Sequence, residues 1–458
     1  MLVVLTCYCF SSCENFLEVD APNNKLITEK VFQSDETALS ALTGIYNELF
    51  VAAFSNGHWS SVSFLNGLSA DNLEILYTSN LPRLEFQQNE IFPNNQLNLD
   101  LWSSAYNMIY MTNAFLEGLS NSEEITPDLK LQLEGEVRFI RAFTYFYLVN
   151  LYGDVPLALT TNYQDNALIS RNSEPEIYEQ ILLDLELAEE LLSTDYRDGE
   201  RTQVNKYAAK ALLARVNLYL ENWEKAEVLS SEVIGQSNYE ILENHNEVFL
   251  ANSKEAIWQI SPIGRGTRST QTNDGSLLII DPVFWPFAES KLSDNLYSTF
   301  DVNDKRLSEW IGYSEQVDAY FSFKYKVWNS SEFPIVEYSM VLRFAEQYLI
   351  RAEARAKQQN ISGAISDLDI IRKRSGLELI ADRNPTISEE EVLTIIMEER
   401  RKELFTEWGH RWLDLKRTNR AEEALGDNNS FWQNTDVFYP IPSEERMKNP
   451  NLSQNDGY

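Results

Sequence analysis

A mainly α-helical fold, built on pairs of antiparallel helices and interrupted by one loop-rich insertion, is what this sequence predicts. Three observations carry the prediction. Apolar residues recur at helical spacing in several stretches, as in Ala38, Leu39, Leu42, Ile45, Tyr46 and Leu49. Alanines stand at one offset in two places, Ala214 with Ala226 and Ala352 with Ala364, each pair spanning a short turn. Between those places, from 236 to 339, helical periodicity fades, and large rings sit among Gly, Asn, Asp and Ser.

The chain opens with a short apolar run, Leu2 to Phe10, too short to span a bilayer. Ser11 and Ser12 then precede Cys13, the arrangement of a bacterial lipoprotein cleavage site. Residues 1–12 read as a lipoprotein-type signal peptide, Cys13 as the lipidated residue and 13–30 as a polar tether. No Lys or Arg precedes the run, and Phe10 stands where that pattern usually has Leu. Residues 31–458 read as a single domain.

Ser34 to Phe50 is the first predicted helix. Val51 to Gln96 reads as irregular, with Pro82 and Pro93 as breakers. Helix returns from Trp102 to Leu119. Pro127 marks the next start, and that helix runs to Tyr152 through Phe139, Phe143, Tyr145, Phe146 and Tyr147, mostly core. Ser173 and Glu176 have the spacing of a capping box for a helix reaching Leu192. The alanine pairs follow. Small residues at this offset let two helices approach closely, as in tetratricopeptide hairpins. Within the insertion, Ala256 to Pro262 and Ser322 to Trp328 alternate like short strands. Phe438 to Pro442 is extended. Trp102, Trp223, Trp408 and Trp412 lie on the helical framework and belong to its core.

The last long helix begins after Ser388, with Glu391 completing a capping box, and Gly409 is its expected C-terminal stop. Arg400, Arg401, Arg411, Lys416 and Arg417 are interleaved there with Glu398, Glu399, Glu403, Glu407 and Asp414. Two readings fit: partly buried ion pairs locking a segment onto a scaffold, or a solvated charged face with pairs one turn apart.

Composition excludes several function classes. With 43% hydrophobic and 12% aromatic residues the chain is globular. A net charge of -32 argues against nucleic acid or an anionic membrane surface as ligand. Cys7, Cys9 and Cys13 are the only cysteines, and His58, His245 and His410 are scattered. A disulfide or zinc site in the body of the fold is therefore not expected, and no cofactor is implied. No esterase, zinc-protease or phosphate-loop motif is present, so the chain does not read as an enzyme.

Four stretches carry a resemblance: FLEVDAP from Phe16 to Pro22; RAFTYFYLVNLYGDVPL from Arg141 to Leu157; LRFAEQYLIRAEARA from Leu342 to Ala356; and EERRKELFTEWGHRWLDLKR from Glu398 to Arg417 with the tail FYPIPSEERMKNPNLSQNDGY ending at Tyr458. The sequence resembles the SusD/RagB family of outer-membrane nutrient-binding lipoproteins. The resemblance implies a tetratricopeptide-like helical fold, a lipid anchor at Cys13 and exposure at the outer-membrane surface. It implies a partner, a SusC-like TonB-dependent transporter, and an oligosaccharide ligand, or a peptide in the RagB branch. It also favours a structural role for the Arg–Glu pattern of 398–417.

Sugar recognition needs flat rings beside groups that bond hydroxyls. In the first loop region His58, Trp59, Asp71, Asn72, Tyr77 and Arg83 qualify; in the insertion Trp285, Trp310 and Tyr313 do. The expectation is that the two regions converge on one concave face.

Overall fold

The structure is a computed structural model that describes residues 31–265, 269–426 and 429–458. Residues 1–30, where the signal peptide, the lipidated Cys13 and the tether are expected, lie outside the described residues. Helices of eight residues or more are α1 (Asp35–Val51), α2 (Val62–Ser69), α3 (Leu81–Gln88), α4 (Gln96–Ser120), α5 (Pro127–Tyr152), α6 (Glu174–Leu191), α7 (Lys206–Tyr219), α8 (Trp223–Ile234), α9 (Phe344–Lys357), α10 (Ile361–Arg374), α11 (Glu389–Leu404) and α12 (His410–Arg417). Three two-stranded antiparallel sheets join them: β1 (Leu73–Ile75) with β3 (Ser290–Leu292), β2 (Ala256–Ile260) with β6 (Ser339–Arg343), and β4 (Ile311–Ser314) with β5 (Ala319–Ser322). Among the described residues no helix is long and apolar enough to cross a membrane.

The helices stack in order. α5 packs on α4 and α6, α7 on α8, α8 on α9, α9 on α10, and α11 closes the row. Ala214, Ala226, Ala352 and Ala364 are all fully buried in these contacts, so the two alanine hairpins do sit as neighbours. α5 is the centre of the main core: Phe139, Phe143, Tyr145, Phe146, Tyr147 and Tyr152 are all buried. Both capping boxes form, at Ser173 with Glu176 and at Ser388 with Glu391. The C-terminal tail is pinned to α4 and α2. The Asn98 side-chain amide donates to the Pro440 carbonyl at 2.8 Å, and the Tyr439 hydroxyl donates to Asn66 Oδ1 at 2.8 Å.

The charged stretch 398–417 resolves into a buried network. Glu403 receives Arg306, Arg343 and Arg374; Glu255 receives Arg343 and Arg374; Glu407 receives Arg343 and Lys324. Burial alone would raise the Glu403 carboxyl, but the three guanidinium groups outweigh it and hold it well below the usual carboxylate range. Farther along, Asp414 bonds Arg400 and Arg417 at 2.8 Å each. The partly buried ion-pair reading is the correct one for these residues.

Four expectations need correction. Residues 51–96 hold α2, β1 and α3. All eight residues of α2 are buried, so it has no polar face to create a period, and Pro82 sits in the first turn of α3, where it is tolerated. The last long helix stops at Leu404. Gly409, at φ 68°, begins α12 instead, and a Cβ there would lie 2.3 Å from the Asn66 amide. Ser322 to Trp328 is strand only at its first residue. Beyond it the Lys326 and Val327 amides donate to the Glu337 carboxylate, and Lys324 turns inward to Glu407. Trp223 is only half-buried, with the Lys357 amine 5.7 Å from its ring centre.

Candidate functional site

Pairing of β1 with β3 brings the first loop region against the insertion. Leu73 lies opposite Leu292 and Ile75 opposite Ser290, and the Leu76 amide continues the ladder by donating to the Glu289 carbonyl at 3.0 Å. Next to this seam α3 places Arg83, which is buried and ion-paired with Glu289. Its guanidinium lies 5.4 Å from the Trp59 ring centre, and the His58 ring packs on Trp59 at 4.0 Å. Trp59 is thus held by a cation and a ring, yet remains 44% exposed. Tyr77, just past β1, is 41% exposed.

The insertion contributes a second set of rings. Trp285 is half-buried against a small cluster of Ile279, Ile280, Ala288, Ala319 and Phe321, which also takes Leu76 from the first loop. Phe284 stacks on Trp328 at 4.9 Å and 18°. On the neighbouring hairpin Tyr320 stacks on Tyr297 at 3.7 Å and 12°, and Tyr313 lies 5.0 Å from Tyr320. The exposed Tyr313 hydroxyl donates to Asp318 at 2.6 Å, and that bond raises the phenol. Exposed rings on a rigid hairpin, with amide and carboxylate groups between them, can stack on the apolar face of a sugar and bond its hydroxyls.

The profile of a family described as starch-binding and associating with the outer membrane matches residues 15–218, and that of the SusD family matches 319–458. The chain belongs to the SusD/RagB family. A SusD-like protein of Formosa agariphila is 25% identical to it, across 99% of this chain and 97% of that one. The starch-binding protein SusD of Bacteroides thetaiotaomicron is 23% identical, across 74% and 75% of the two chains. Among solved structures, a SusD superfamily protein from Bacteroides vulgatus superposes with a TM-score of 0.82 at 21% identity, covering 93% of this chain and all of that one. A laminarin-binding SusD-like protein superposes with a TM-score of 0.79 at 25% identity and the same coverages.

In this SusD-like chain three expected ligand residues are claimed by the fold. Trp310 is fully buried: its indole N–H donates to the His245 carbonyl at 3.0 Å, and the Lys324 amine sits 4.8 Å from its ring centre. Burial pushes that amine down to about 8. Asp71 is ion-paired with Arg401 and Arg411 at 3.1 Å each, and Asn72, buried, accepts from Arg401 at 3.0 Å. They fasten the first loop to α11 and α12 and do not face solvent as free binding groups. Trp59, Tyr77, Arg83 and Trp285 gather around the seam, whereas Tyr313 belongs to the neighbouring tyrosine stack. Phe284, Phe287 and Trp328 were not expected. Phe287 is 76% exposed, and the signal for it was available in DPVFWPF, where Phe284, Trp285 and Phe287 flank Pro286. Among the described residues no cluster of His, Cys, Asp and Glu could hold a metal ion.

Proposed function

We propose that this chain is a cell-surface lipoprotein that binds an oligosaccharide and delivers it to a SusC-like TonB-dependent transporter in the outer membrane. The observation that carries the reading is Trp59: a ring seated on the Arg83 guanidinium and 44% exposed. Burying a ring that large without a ligand would be the ordinary outcome of folding, and here the fold props it outward. The family, and a structural neighbour described as laminarin-binding, support a glycan as the ligand. The polypeptide is read as 1–12 signal peptide, 13–30 lipidated tether and 31–458 one SusD-like domain, with 236–339 inserted in it. The role is capture and transfer, without bond breaking.

Calorimetry of the full chain in mild detergent, against plant, algal and microbial polysaccharides and against peptides, tests the reading. Saturable binding of one glycan class, lost on joint Trp59→Ala and Trp285→Ala substitution, is expected. Survival of binding in that double variant refutes the site. Peptide binding with no glycan binding refutes the ligand. Labelled palmitate incorporated by the wild type and absent from Cys13→Ala is the expected result for the anchor.

A further inference from the structure

The turn that presents Trp59 is held from outside itself. Within the turn, the Asn56 side chain accepts from the His58 amide at 2.8 Å and donates to the Val51 carbonyl at 3.2 Å. The Val62 amide closes the turn onto the Phe54 carbonyl at 3.1 Å. These bonds fix its shape, since an asparagine that bonds the backbone two residues on mimics a backbone turn. They do not fix where it sits. On one side α4 supplies the Ser104 hydroxyl, which accepts from the Phe54 amide at 3.0 Å. On the other side the hold comes from the insertion, 217 residues away in sequence.

A short helix, Asn273–Leu278, makes that hold. The Asn273 side-chain amide donates to the Asn56 carbonyl at 2.8 Å. The next residue, Asp274, lies against Gly57, where a Cβ would come within 2.3 Å of its carboxylate. Gly57 is at φ 73°, left-handed geometry that glycine adopts freely, and it puts no side chain between the turn and the helix. Both holding residues are themselves fixed. Thr272 caps the helix, its buried hydroxyl accepting from the Gly275 amide at 3.0 Å. The Ser339 hydroxyl of β6 donates to Asp274 at 2.7 Å. Trp59 follows two residues after Gly57, and its contacts with the Arg83 guanidinium and the His58 ring leave much of it exposed.

We propose that Asn273 and Asp274 are positioning residues for Trp59, so that affinity for a glycan is set in part by two insertion side chains that do not touch it. The inference rests on the glycan reading for what Trp59 holds, and on the turn alone for what holds Trp59. A ring packed on one side only can be presented in more than one way. Apparent affinity falls with the fraction of molecules that present it wrongly. A bond that selects one placement of the turn raises the competent fraction, and the affinity with it. The same helix leads into the segment that carries Trp285, so the contact also sets the spacing of the two rings.

Fluorine NMR of the full chain in mild detergent, labelled with 5-fluorotryptophan, reads the ring without any ligand. The chain has ten tryptophans, and Trp59→Phe assigns its resonance by removing it. Asn273→Ala and Asp274→Ala should shift or broaden the Trp59 signal and leave those of buried Trp102 and Trp412 in place, which a general loosening would move as well. Calorimetry with laminarin and soluble starch gives the second readout. Asn273→Ala should weaken binding about fivefold, the loss expected for one neutral hydrogen bond, and should add nothing in a Trp59→Ala background. Asp274→Asn keeps the shape of the side chain and, at pH 6, its uncharged state, so it should show the wild-type signal and affinity. Asn273→Asp covers the case in which Asn273→Ala fails to fold. A Trp59 signal that stays in place in the folded variants overturns the proposal. So does equal binding by these variants and a wild type that binds. A loss that adds in full to that of Trp59→Ala overturns it too, because Asn273 would then act on the glycan directly. A moved Trp59 signal with neither glycan bound by the wild type upholds the positioning and counts against the glycan reading.

Discussion

Arg343 Nη1 and Glu403 Oε1 meet at 2.5 Å, with both side chains withdrawn from water. The contact ties β6, where the chain returns from the insertion, to α11, and Arg306 and Arg374 converge on the same carboxylate. Removing it would leave three buried guanidinium groups short of a counter-charge. Glu403→Ala should cost about 3–5 kcal/mol of folding free energy. Urea unfolding measures this, and a variant with the wild-type midpoint would mean the network contributes little.

Asp71 is where the first loop is fastened to the C-terminal segment. Asp71→Asn leaves Arg401 and Arg411 without their carboxylate and should destabilise the protein by about 1–3 kcal/mol. Glycan affinity of the folded fraction should be unchanged, because both carboxylate oxygens are already taken by Arg401 and Arg411. Selective loss of binding in a variant of full stability would return Asp71 to the binding site.

How much was readable in advance follows from how local each cause is. The Ser388–Glu391 capping box, the alanine pairs and the ring-crowded α5 depend on residues within a few turns, and all stood in the sequence. α2 was hidden because a helix buried on every side has no polar stripe. Gly409 was assigned to the wrong helix because the stop is made by distant partners: the Trp408 amide donates to Ser63 and its indole to the Met340 carbonyl. Trp285 and Trp310 look alike in sequence. Only the packing of the insertion onto α11 distinguishes the half-buried ring from the core ring. Trp59 was legible as a candidate, but its Arg83–Glu289 support was not, since Glu289 lies across the β1–β3 seam.

The two tryptophans make a paired prediction. Trp310 has no exposed surface, and the Lys324, Arg343 and Arg374 cations surround its ring at 4.8, 5.6 and 5.6 Å. Trp310→Ala should cost about 3–5 kcal/mol and leave the affinity of the folded fraction intact. Trp59→Ala should do the reverse, with near-normal stability and weakened glycan binding. Thermal melts and calorimetry on both variants check it, and an exchange of the two phenotypes would move the site to the β4–β5 hairpin.

Asp274 supplies the pH prediction. It is packed under Gly57, where a Cβ would lie 2.3 Å from its Oδ2, and the Ser339 hydroxyl donates to that same oxygen at 2.7 Å. Burial raises its carboxyl from 3.8 to about 7. The folded state therefore holds this proton more tightly than the unfolded chain. Its stabilising contribution is full below the unfolded value and is lost as pH rises through the folded one. Above about pH 8 a buried carboxylate remains in the folded state, at a cost of roughly 4 kcal/mol at most. Asp274→Asn carries no charge at any of these pH values. It should gain stability relative to the wild type between about pH 5 and pH 8, read as a growing difference in urea midpoints. A difference that stays flat across that range would show that Asp274 is ionised in the folded protein throughout.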